Sequence, residues 1–226
     1  MANTEERTEV ANNADIARAV GYRFLAHCFT YPDRELVGLL DGTDLNEYVS
    51  AWRTIGFDAS REMAEIMDWR SSMSPQEALQ ALQEEHTRLF VNAFPRVPAP
   101  PYSSVYLDQK AHPEVWGDST VRAVRFYEAA GLYPAADFND IPDHIAAELE
   151  FVSYLISAQQ NIAGNNASQN LADIEKTFLA DHLFLWAPVF FSRVMDCNET
   201  TFYKAISTMA HRFIEGECYK KGSEAK

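Results

Sequence analysis

The sequence predicts an all-α fold, a single globular domain of about ten helices. Apolar residues recur at intervals of three and four along most of the chain, and alternating β-branched runs are missing. Strong helix start and stop signals punctuate that pattern.

Ile16, Val20, Phe24 and Cys28 climb one face of a first helix. It ends near Tyr31-Pro32, because proline disfavours helical geometry in the residue before it. Asp33 is placed to cap a short second helix. Helices follow over about 44–55, 60–69 and 74–92. The last opens with Ser74 as N-cap, Pro75 at the first position and Glu77 three residues past the cap. Residues 94–104, FPRVPAPPYSS, carry prolines at 95, 98, 100 and 101. Neither helix nor inner strand passes through such a segment, which predicts an extended crossover without regular hydrogen bonding. Residues 105–107 form a short turn, and 108–118 are irregular, the place for a joint if the domain has two lobes. A helix over 119–130 is closed by Gly131. A polar link at 133–139 leads to a long helix over about 140–163, with Asp140 as its cap and Pro142 in its first turn. Gly164-Asn165-Asn166 breaks it, and helices over about 169–186, 188–195 and 199–217 complete the chain.

The 226 residues are 47% apolar, enough to bury a real core. Lys and Arg number 19 against 33 Asp and Glu, a formal charge of −14. That field repels phosphate backbones and anionic headgroups, so nucleic acid and membrane surfaces are poor partners. A basic peptide is favoured, although a solubilising acidic surface gives the same number. The opening MANTEERTEVANNADIA lacks the basic start and apolar stretch of an export signal, which predicts a cytoplasmic protein. The apolar run at 183–191 falls well short of the roughly 20 residues that span a bilayer. It also contains Pro188, so no membrane-spanning segment is expected. Cys28, Cys197 and Cys218 are odd in number and widely spaced, which suits neither a disulfide framework nor a zinc knuckle.

No G-x-G or G-x-x-x-x-G-K sequence occurs, so the usual phosphate cradles are absent. None of the six histidines has Glu three residues before it, and H-x-x-x-H and H-E-x-x-H are missing. Helix-borne di-iron and zinc sites are therefore not expected. Two His-x-x-x-Glu pairs do occur, His144 with Glu148 and His211 with Glu215, each placing both side chains on one helix face. For His211 a solvated pair accounts for the spacing. His144 stands beside Pro142 and Asp143 at a helix start where an anion is welcome, which fits either a structural cap or a binding tip. Phe90, Tyr102 and Tyr106 flank the proline crossover and line either a groove or the core.

Three stretches carry a resemblance to the TorD family of redox enzyme maturation chaperones, which includes the DmsD branch and is related to NarJ. The first is VRAVRFYEAAGLYPAADFNDIPDHIAAELEFVSYL, residues 121–155, with its Pro-Asp-His tripeptide. The second is LFVNAFPRVPAPPYSSVYLD, residues 89–108, and the third is FLADHLFLWAPVFFSRV followed by FYKAISTMAHRFIE. Asp140 stands where the family commonly has Glu, which puts in doubt only a contact needing the longer side chain. The resemblance implies an all-helical cytoplasmic chaperone without catalytic or metal residues. It would bind the twin-arginine signal peptide and immature catalytic subunit of a molybdopterin-dependent oxidoreductase, delay export and assist cofactor insertion. Some members have been linked to weak GTP binding and to domain-swapped dimers. A peptide with basic and apolar parts asks for carboxylates beside an apolar groove. The expected site is therefore Pro142, Asp143, His144 and Glu148 facing Phe90, Pro100, Pro101, Tyr102, Ser104 and Tyr106. Two rivals remain at this point: a nucleotide hydrolase using Asp143 and His144 as acid and base, which the missing phosphate loop disfavours, and a structural subunit retained in a mature complex.

Overall fold

The computed structural model describes residues 2–41, 43–108, 116–133, 141–161, 165–197 and 200–223. Eleven α-helices order the described chain: α1 (Ala2–Phe29), α2 (Arg34–Leu39), α3 (Thr43–Thr54), α4 (Ser60–Ser71), α5 (Pro75–His86), α6 (Ser103–Leu107), α7 (Asp118–Ala129), α8 (Ile145–Asn161), α9 (Asn165–Phe178), α10 (Phe184–Met195) and α11 (Phe202–Ser223). Among the described residues no strand occurs; Tyr102 and His144 form an isolated antiparallel bridge. The all-α expectation holds.

Local signals act as read at several ends. Asp33 caps α2, its Oδ1 accepting from the Leu36 N–H at 2.8 Å. Ser74 and Glu77 form a reciprocal capping box on α5, with Pro75 at the first position. Its helix does not run unbroken to 92, since a π-helical turn, Thr87–Val91, replaces the last turn. Gly131 follows α7 at φ +79°, where an L side chain would be strained.

Two expectations are overturned. Pro188 does not separate two helices; it lies inside α10, and α9, a π-helical turn over Leu179–Leu183 and α10 run on as one stretch. The π-helical turn ends at Leu183, directly before Phe184, whose carbonyl loses its i→i+4 partner to Pro188. By length and composition alone the stretch Asn166–Met195 is apolar enough to cross a membrane, but half of its most apolar 18-residue window is buried inside the fold. The long helix after the polar link begins at Ile145, not near 140. Residues 141–144 make a turn in which the His144 N–H donates to the Ile141 carbonyl at 3.0 Å. Asp140 and most of the 108–118 joint lie outside the described residues.

α1 packs along α8, and α10 along α11. Their buried side chains join one apolar cluster that reaches from Ala19 to Ile214. Phe29 sits near its centre, with ring centroids 5.4 Å from Phe190, 5.6 Å from Phe191 and 6.1 Å from Phe90. Cys28 is buried in this cluster, and none of the three cysteines is in a disulfide.

Candidate functional site

The proline crossover and the start of α8 are stitched together by main chain. The Ser103 N–H donates to the Asp143 carbonyl at 3.0 Å, and the Ile145 N–H to the Pro101 carbonyl at 2.8 Å. Residues 92–101 carry no regular hydrogen-bonding pattern, as the prolines predict, and the crossover is held by these isolated main-chain bonds instead. One of the first free N–H groups of α8 is thereby satisfied from a remote loop. His144 caps the helix itself: its Nδ1 accepts from the Ala146 N–H at 3.1 Å.

Asp143 is completely buried. Its Oδ2 accepts from the Ser104 N–H at 2.8 Å and the Ser103 hydroxyl at 3.3 Å. It anchors the crossover and does not stand at an exposed tip, which corrects the expected direct pairing with an arginine. Glu148 is corrected in the same way. It is fully buried, and its two oxygens accept from Trp186 Nε1 at 2.9 Å and contact His182 Nε2 at 2.7 Å. Burial pushes this carboxyl above the usual glutamate value, an effect that His182 and the Trp186 hydrogen bond partly offset. Pro142 is buried, its carbonyl accepting from the Tyr127 hydroxyl at 2.7 Å. Ser104 is buried with it. Tyr106 turns away toward Trp186, ring centroids 5.4 Å apart, under the guanidinium of Arg193.

The remaining expected residues do meet. Phe90, Pro101, Tyr102 and His144 line one cavity of about 330 Å³, whereas Pro100 is not on its wall. Tyr102 and His144 face each other edge-on at 5.3 Å. Sequence reading missed Tyr31, His86 and Glu150 on the same wall. His86 packs edge-on to Tyr31 at 5.3 Å and Phe90 at 5.0 Å. A signal for it existed: four residues before Phe90, it shares that residue's helix face. Glu150 follows Ala146 and Ala147 at helical spacing, and those small residues leave its face open. The result is an aromatic cleft with one exposed carboxylate at its edge. Among the described residues no group of His, Cys, Asp and Glu is arranged to hold a metal ion. His211 lies elsewhere and contacts Glu215 at 3.5 Å, as a solvated pair.

The family model of the nitrate reductase delta subunit matches residues 56–192, more than half of the chain, and includes the whole crossover and the start of α8. This chain belongs to that family. The TorD resemblance read from residues 89–108 and 121–155 agrees with the membership. A perchlorate reductase assembly chaperone protein from Dechloromonas aromatica (strain RCB) is 28% identical over 207 residues, 88% of each chain. The TorD chaperone of Shewanella sp. (strain ANA-3) is 23% identical over 212 residues, covering 90% of this chain and 94% of its own. Both relatives are named for chaperoning, not for catalysis. A solved structure of an Archaeoglobus fulgidus redox enzyme maturation protein superposes with a TM-score of 0.57 at 24% identity. It covers 88% of this chain and 93% of its own, and supports the fold alone.

Proposed function

We propose that this protein is a cytoplasmic chaperone that binds the twin-arginine signal peptide and immature catalytic subunit of a molybdopterin-dependent oxidoreductase. In that role it assists cofactor insertion and delays export. The carrying observation is the cleft of Phe90, Pro101, Tyr102 and His144 with Glu150 exposed at its edge. Aromatic walls suit the apolar part of such a peptide, and an exposed carboxylate in a strongly acidic protein suits its arginines. His144 and Tyr102 touch the ligand, while Asp143, Ser103 and Ser104 hold the crossover against α8. The names of the relatives support the same class of client, an enzyme under assembly. The nucleotide-hydrolase reading loses its acid, since Asp143 is sealed behind Ser103 and Ser104.

Calorimetric titration of a twin-arginine peptide into wild type, Tyr102→Ala, His144→Ala and His211→Ala tests the assignment. The first two variants should weaken binding by roughly tenfold or more, the loss typical of a desolvated contact of 1.4 kcal/mol or above. His211→Ala, remote from the cleft, should bind as wild type. Equal affinity for all four proteins would remove the site.

A further inference from the structure

We propose that a second subsite lies beside the His144 cleft, between α1, α2 and the flank of α8, and takes a second basic side chain of the same peptide. It rests on the peptide-binding reading above.

A cavity of about 510 Å³ adjoins the cleft and shares Thr30 and Glu150 with it. A third, of about 410 Å³, shares Val20 and Arg23 with the second. The shared residues make the three one furrow along the crease between α1 and α8. On α8 its wall runs through Ala147, Glu150, Ser153, Ser157 and Gln160, the three-and-four spacing of one helix face. Small side chains at 147 and 157 line the crease, and Ser153 bridges it by donating to the Ala19 carbonyl at 2.9 Å. From Ala147 to Asn161 the helix rises about 21 Å at 1.5 Å per residue, room for about six residues of extended peptide.

Charge orders the furrow. Glu150 and Glu35 give the second cavity two exposed carboxylates, and among the described residues neither has an ion-pair or hydrogen-bond partner. A guanidinium seated between them forms charge-assisted hydrogen bonds that neither glutamate makes in the free protein. Arg23, also exposed and without a partner among the described residues, stands where the second cavity meets the third. It repels any further cation and can donate to peptide carbonyls. Beyond it the wall mixes Ile16, which is 49% exposed, and Val20 with the polar Asn12, Ser157 and Gln160 and with Asp15, whose carboxylate is held by Arg18 and Gln160. The furrow thus reads basic residues at the Tyr102 end.

The test uses two synthetic peptides, one with adjacent arginines followed by an apolar stretch and one with the second arginine replaced by alanine. Each is titrated into wild type, His144→Ala and Glu35→Gln, the carboxylate that lines the second cavity but not the cleft, with circular dichroism confirming that each variant folds. Glu35→Gln should lose roughly tenfold in affinity for the two-arginine peptide and much less for the single-arginine peptide. His144→Ala should weaken both. If Glu35→Gln affects the two peptides equally, or neither, the second subsite is overturned while the His144 result stands by itself. If His144→Ala binds both peptides as wild type does, the underlying reading fails as well.

Discussion

Asp143 and Glu148 are carboxylates whose task is set by burial. Asp143 satisfies the buried Ser104 N–H, so Asp143→Ala leaves that donor without its acceptor. The expected loss of stability is about 1–3 kcal/mol, read from urea unfolding, together with weaker peptide binding as Tyr102 loses its support. Glu148 predicts a pH dependence. Its folded value is raised, so between the usual glutamate value and that raised value the native state holds more protons than the unfolded state. Its contribution to stability therefore falls as pH rises through that interval. Glu148→Gln should flatten this part of the profile of urea midpoint against pH. An unchanged slope would mean that another group is responsible. Neither role is legible in the sequence, because the partners lie 39 and 38 residues away, at Ser104 and Trp186. What the tripeptide does make legible is the neighbourhood, and His144 and Tyr102 within it.

At the scale of elements, periodicity and capping chemistry locate the helices, and the shifts come from partners distant in sequence. The Pro101 carbonyl moves the start of α8 to Ile145, and Asp108 supplies the N-terminal acceptor for α7 from outside the helix. Its Oδ1 accepts from the Ser119 N–H at 3.1 Å and from the Ser119 hydroxyl. Asp108→Ala should cost about 0.5–2 kcal/mol, the usual range for a lost N-cap. Gly21 makes a second test. A Cβ there would lie 2.7 Å from Trp52 Nε1 and 2.9 Å from Phe213 Cζ, so α1 approaches α3 and α11 as closely as it does only because position 21 lacks a side chain. Gly21→Ala gains helix propensity yet should still destabilise by about 1–3 kcal/mol through overpacking. A thermal melt above wild type would show that Trp52 and Phe213 yield easily.

For the whole molecule, Arg18 ties the two ends of the chain to the middle. Its guanidinium lies 2.6 Å from Glu175 on α9, 2.6 Å from Glu217 on α11 and 3.1 Å from Asp15 on its own helix. Glu175 and Glu217 are buried. Arg18→Leu removes the ion-pair partner of two buried carboxylates, of which Glu175 keeps its hydrogen bond from Gln159, and should cost about 3–5 kcal/mol in denaturant unfolding. The helical class and the order of elements follow from residue patterns along the chain. The closure of α1 on α8, α9 and α11, which makes the furrow, follows from side chains that no local pattern connects. On the proposed function, the peptide lies in the cleft of Tyr102 and His144. Photo-crosslinking from a twin-arginine peptide that carries a photoreactive residue beside its arginines tests this most directly, with mass spectrometry to find the attachment points. Attachment at Tyr31, Val91, Tyr102 or Ala147 is the result predicted; attachment confined to the exposed face of α10 at Leu185 and Val189 would contradict it.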